Sequence, residues 1–358
     1  APGVGGGLVI VALYVTVRVA YPERLRASAL ASFSAAWVVP SMIGPVIAGT
    51  VTERFGWRWV FLGITVLVVL PVLVMLPALR RLGAPSPAGR RGPRFDRRRL
   101  RLAAAVALGA GLVQFGGQEL RWLSLVPVLV GLALLAPSAR LLLPRGTFRA
   151  VRGLPAVILL RALVSSAFLS TQTFVPLMLV TQRGLSLTQA GLALAASGGL
   201  WALGSFTQSR TWIEPHRIAL VRLGTVLITV GVVTTPLVLV DAVPVWTPAL
   251  TLAVAAFGMG AVTASVGVLV LRLSTPEEAG GNVASLQVCD SLGNVVMLTT
   301  VGTLFAALGG DTTATAHGAA SEAADMTVGA GAFLPVYAAT TLAALLSTVV
   351  AGRLTARP

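Results

Sequence analysis

Two ionisable residues stand deep inside apolar stretches of this chain: Asp290 in NVASLQVCDSLGNVVMLTTVGTLF and Arg161 in LPAVILLRALVSSAFLSTQTFVPLML. A carboxylate taken out of water holds a proton more readily, and a guanidinium brought beside it drives the proton off again. This is the chemistry of loading and releasing a proton. The competing reading is a permanent structural pair, or two groups each satisfied by backbone and water. Gln287, Asp290 and Asn294 fall at i, i+3 and i+7, on one face of a helix. The stretch after Arg161 carries Ser165, Ser166, Ser170, Thr171, Gln172, Thr173 and Phe174. Gln172, Gln287 and Asn294 are candidates to line a cavity, with Phe174 and Trp201 as an aromatic wall for an apolar cation or amphiphile. Packing in the core or against lipid is the plainer reading of any one aromatic residue.

The elements that must hold these groups are long and apolar. Eleven stretches qualify: 4–20, 28–50, 59–79, 101–117, 123–143, 153–180, 188–208, 218–240, 247–271, 281–308 and 331–352. A bilayer core ~30 Å thick takes about 20 helical residues to cross. Lipid leaves an open chain no other way to satisfy its backbone, so every stretch is expected to be a helix. Ionisable groups inside such spans are costly and usually functional. Counted from the start of their spans, Arg161 and Asp290 lie at a common depth of about 12–14 Å. Opposite charges at one depth can meet.

Composition agrees. Apolar residues make up 56% and charged residues 11%, against about 25% charged in soluble domains. The net charge is +15, and all 27 basic residues are arginine. Nucleic acid is not the implied partner, because the arginines collect at alternate junctions between spans. With the 18–27 loop placed inside, the inner junctions hold 22 arginines and the outer ones four, Arg54, Arg58, Arg121 and Arg183. The positive-inside rule then makes the inner side, and the C-terminus, cytoplasmic.

Enzymatic classes are disfavoured. The sequence has no His-Glu-x-x-His, no Ser-His-Asp set and no phosphate-cradling loop followed by lysine, and its one deep acid cannot form a carboxylate pair. Cys289 stands alone, and His216 and His317 fall on opposite sides of the membrane. No metal and no cofactor are expected.

Residues 1–79 hold three spans and 80–100 an Arg/Pro/Gly linker; 101–152 hold two more spans and a basic loop, and 153–358 the last six spans. The second span and its exit read ASFSAAWVVPSMIGPVIAGTVTERFGWRWVF. This resembles the antiporter motif of the major facilitator superfamily, a glycine-rich helix closed by Gly-Pro. Gly44, Pro45 and Gly49 match, whereas Ala31, Pro40 and Ala48 stand where that motif usually has glycine. Small residues let a neighbouring helix approach closely, and proline kinks the helix. The inserted pair 101–117 and 123–143, with GLSLTQAGLALAASGGLWALGSFTQSR, resembles the fourteen-helix drug/proton antiporter branch.

The resemblance implies a major facilitator fold of about 11 membrane helices: a partial N-terminal bundle, two inserted helices and a complete six-helix C-terminal bundle. Gly3, Gly5, Gly6 and Gly7 then resemble part of the family's fourth helix, so three earlier helices are expected to precede Ala1. The loop SFTQSRTWIEPHR resembles a degenerate cytoplasmic loop motif, which makes Arg210, Glu214 and Arg217 latch candidates. The implied protein is a monomeric plasma-membrane exporter of small amphiphilic or drug-like molecules, driven by protons. Carriage of another metabolite, or a fragment that does not transport, are the alternatives.

Overall fold

The computed structural model describes residues 51, 57–82, 97–118, 125–275, 278–308 and 329–354. Among them every regular element is helical: α1 Trp57–Leu82, α2 Arg97–Gln118, α3 Leu125–Leu142, α4 Leu154–Arg183, α5 Leu187–Gln208, α6 Arg217–Thr234, α7 Thr247–Arg272, α8 Ala279–Ala307 and α9 Phe333–Ala351. Helices α4 to α9 each form, or form most of, a segment long and apolar enough to cross a membrane. The apolar stretches of α2 and α3, Leu100–Gly116 and Val126–Leu142, are shorter. The expected spans 4–20 and 28–50 lie outside the described residues, as do Pro40, Gly44, Pro45 and Gly49.

Two compact units separate by contact. Val39–Arg98 contains α1, which exposes apolar side chains such as Val66, Leu67 and Leu70. The chain from Arg99 to Pro358 contains the other helices.

Local signals explain several boundaries. Helix α4 stops where Gly184 takes φ 64°, and the Gly184 and Leu185 amides donate to the carbonyls of Val180 and Leu179. Glycine adopts this left-handed turn without a Cβ penalty. Helix α5 starts two residues later with a capping box, in which Ser186 and Gln189 satisfy each other's amides. The expected span 218–240 loses its α-helical form at Thr234 and tightens into a 3-10 turn, Thr235–Leu239. Pro236 is the physical reason, since it cannot donate to the ladder.

Apolar burial contributes little between helices already surrounded by lipid, so close backbone contact must hold the bundle. Helix α7 packs against both α5 and α6. Where it meets α5, a Cβ on Gly260 would fall 2.0 Å from the Trp201 carbonyl oxygen, and one on Gly204 would fall 2.1 Å from that of Phe257. Ser205 Oγ donates to the Gly260 carbonyl at 3.2 Å across the same contact. Where α7 meets α6, Gly224 and Gly258 play the same part. Helix α4 packs against α8 and α9.

Helices α2 and α3 form a hairpin pressed together at Gly109 and Gly131, where a Cβ on either would lie 2.7 Å from the other's carbonyl oxygen. Val106, Leu135 and Ala139 of this hairpin cluster with Leu292 of α8, and Val288 packs alongside. Ser285 Oγ donates to the Leu142 carbonyl at 3.1 Å. The hairpin therefore grips the face of α8 opposite the one that carries Asp290.

Candidate functional site

Helices α4 and α8 meet through two polar rungs one turn apart. In the first, Arg161 Nη2 donates to Asp290 Oδ2 at 3.2 Å, with the side chains 15% and 13% exposed. In the second, Ser165 Oγ and the Asn294 amide bond reciprocally, at 3.2 and 3.0 Å. The rungs are parallel because 161/165 and 290/294 are both i, i+4 pairs. Gly293 lies between them, and a Cβ there would fall 2.9 Å from the Ala162 carbonyl oxygen. The absence of that Cβ lets the helices come close enough for short side chains to bond.

The carboxylate is only half satisfied. Asp290 Oδ1 is buried and has no hydrogen-bond partner. A buried acceptor without a donor costs about 1–3 kcal/mol, more for a charged group. Such an atom can accept a hydrogen bond from a donor group brought by a ligand.

The stripe on α4 continues beyond the rungs. Phe168 is fully buried and meets the ring of Trp201 edge-on, with centroids 5.6 Å apart. One turn further, Gln172 Nε2 donates to Ser197 Oγ on α5 at 3.3 Å. Residues 161, 165, 168 and 172 thus mark one line, which at ~1.5 Å per residue spans about 16 Å. Thr171 Oγ1 is buried beside it without a partner. Ser197 lies in the small-residue run AASGGLW, where nothing local marks it as the partner of Gln172.

Other expected site residues fall elsewhere. Gln287 is half-buried one turn before Asp290. Phe174 is 2% exposed and joins an aromatic chain, 5.2 Å from Phe305, which is 5.1 Å from Phe333. In this conformation it is core packing and presents no open wall.

The three latch candidates do not join one another. Arg217 is buried and donates to Gln208 Oε1 at 2.8 Å. Glu214 pairs with Arg272 at the end of α7. Arg210 is exposed at the start of the intervening 3-10 turn. The partners Gln208 and Arg272 sit on different helices, so no local spacing pointed to them. At the other end of the bundle, Arg183 ties α4 to the turn before α7, through Asp241 Oδ1 at 3.1 Å and the Val243 carbonyl.

Against known proteins, residues 1–298 match the Major Facilitator Superfamily. No curated protein matches the chain. Among solved structures it is similar to a crystal structure of an auto-inhibited POT family peptide transporter, with a TM-score of 0.55 and 20% identity over 94% of this chain and 74% of that one. At that identity the likeness is one of fold.

Proposed function

The chain belongs to the major facilitator superfamily and is a multi-pass membrane protein of the secondary-transporter class; from that premise we propose that it is a proton-coupled exporter of small amphiphilic or drug-like molecules. Its seat is the plasma membrane, with the C-terminus cytoplasmic, and its type is the fourteen-helix drug/proton antiporter. The observation that carries the reading is the half-satisfied carboxylate of Asp290, bonded to Arg161 through one oxygen and bare at the other. Support for an exporter of the antiporter kind comes from Gly44, Pro45 and Gly49 in the second span and from the inserted helix pair.

In this mechanism Asp290 binds a proton when its site opens to the outside. Neutralising the carboxylate removes its attraction to Arg161 and loosens the first rung between α4 and α8. When the site opens inward, Arg161 closes on the carboxylate and drives the proton off. Substrate moves the other way along the stripe from Ser165 to Gln172, with Trp201 beside it. A ligand with the same charge as the proton competes for the same bare oxygen, which is how one carboxylate can exchange the two. Gln172 bonds ligand and carries no proton. Gln208–Arg217 and Glu214–Arg272 fasten the cytoplasmic end.

Inside-out vesicles test this. An imposed pH gradient should drive uptake of a lipophilic cationic dye into vesicles that hold the protein. An uncoupler should abolish uptake, and so should Asp290→Asn. Gradient-driven uptake that survives Asp290→Asn makes the Arg161–Asp290 contact a structural pair. Because the similar solved structure is a peptide transporter, dipeptides form the second substrate arm; transport of dipeptides and not dye would replace the export reading.

A further inference from the structure

We infer that the ordered loop Leu143–Gly153, together with the end of α9 bonded to it, docks the phosphate headgroups of anionic phospholipid in the leaflet that it faces. The loop reads LPRGTFRAVRG. It is tightly folded. Thr147 Oγ1 donates to the Pro144 carbonyl at 2.7 Å, and the Val151 amide to that of Gly146 at 3.2 Å. Gly146 and Ala150 both take left-handed conformations, at φ 89° and 49°, and Ala150 is the only non-glycine residue with positive φ among the described residues. A strained alanine persists only where its surroundings hold it. Here Thr147 and Ala150 are buried as pins. That arrangement turns Arg145, Phe148, Arg149, Val151 and Arg152 outward, all of them exposed.

Two more arginines join this platform. Arg353 Nη1 donates to the Arg149 carbonyl at 3.1 Å, and the Gly153 amide donates back to the Arg353 carbonyl at 3.4 Å. Arg222 Nε donates to the Ala351 carbonyl at 3.2 Å. Arg145, Arg149, Arg152, Arg222 and Arg353 are all exposed, and among the described residues none has a carboxylate within ion-pair distance. Their counter-charge must come from elsewhere. Guanidinium forks match phosphate oxygens two at a time.

The apolar members of the loop choose between anionic partners. Phe148 is 59% exposed and Val151 50%, interleaved with the arginines at the end of two helices, α3 and α4. A contact with phosphate alone makes no use of these side chains. A membrane surface takes the basic and the apolar groups together, the guanidiniums at the headgroups and Phe148 just below. Attraction to an anionic leaflet is worth about a fivefold gain in binding per arginine.

The test uses the purified full chain in neutral detergent, titrated with phosphatidylglycerol or phosphatidylcholine and read by native mass spectrometry. The wild type should retain phosphatidylglycerol preferentially. R145Q/R149Q/R152Q should weaken that retention on the order of a hundredfold and leave phosphatidylcholine unchanged. Equal retention of the two lipids by the wild type, or an unchanged preference in the triple variant, overturns the proposal. The wild type alone provides a second measurement that does not depend on the variant folding: retention should fall steeply as salt is raised, and salt-independent retention overturns the site. Inorganic phosphate, a duplex oligonucleotide or an acidic peptide is added as competitor at equal charge. Weak competition supports the membrane as occupant, whereas competition equal to that of the lipid shows that the acyl chain and Phe148 add nothing and overturns it.

Discussion

In the proposed mechanism, the bare oxygen of Asp290 is where residue chemistry and transport meet. Its other oxygen is held by Arg161, and both side chains are largely withdrawn from solvent. Removing one partner of such a pair strands a charge, at a cost on the order of 3 kcal/mol. Arg161→Gln should therefore lower the thermal stability of the purified protein more than the double variant Arg161→Gln/Asp290→Asn, in which no charge is left. Thermal melts of the three proteins in one detergent check this, and a double variant as unstable as the single one would show that the pair holds no shared charge. At this scale much was legible. That Arg161 and Asp290 meet was foreseeable from opposite charges set equally far into two apolar spans. The second rung was not, because Ser165 is one of several small hydroxyl residues in its helix. Its bond to Asn294 exists only because Gly293 lets α4 approach.

Among the elements, the closest approaches are made by glycines, and they separate glycines that matter from those that do not. Gly260→Leu must displace the Trp201 backbone, which lies 2.0 Å from where its Cβ would stand. Overpacking of this kind costs about 1–3 kcal/mol or more, so the variant should melt at a clearly lower temperature or fail to fold. Gly199, on the same helix as Gly204, has nothing within 4 Å of its Cβ position, and Gly199→Ala should leave the melt unchanged or raise it. Gly131→Leu should split the α2–α3 hairpin and loosen its grip on α8. Limited proteolysis between α2 and α3 reads that loosening, and unchanged cleavage would mean that the hairpin does not depend on the crossing. Helix existence was legible from apolar length, and ends were legible where Gly184, Ser186 or Pro236 mark them. The partners of each helix were not. Gly109 and Gly131 look like any other membrane glycine until the crossing is seen, and nothing in the spacing of Glu214 and Arg217 points to Arg272 or Gln208.

For the whole molecule, the arginine distribution makes a claim that the helices alone do not: which ends face the cytoplasm. In a background where the single cysteine is removed by Cys289→Ser, Arg145→Cys should resist a membrane-impermeant maleimide added to intact cells. Asp241→Cys, at the opposite end and fully exposed, should label. The reverse pattern would invert the orientation. The superfamily was legible in the Gly-Pro and small residues of 28–50, and the match of residues 1–298 agrees with that reading. Substrate was not legible, because a cavity wall is assembled from several helices and each contributes only one or two polar side chains to it.

In the proposed mechanism Asp290 exchanges a proton for substrate. That exchange is tested most directly by adding a lipophilic cationic dye to the purified protein in weakly buffered detergent, following proton release with a pH indicator and dye binding in parallel. The wild type should release protons as dye binds, and Asp290→Asn should release none. Dye-driven proton release of undiminished size from Asp290→Asn would contradict the mechanism.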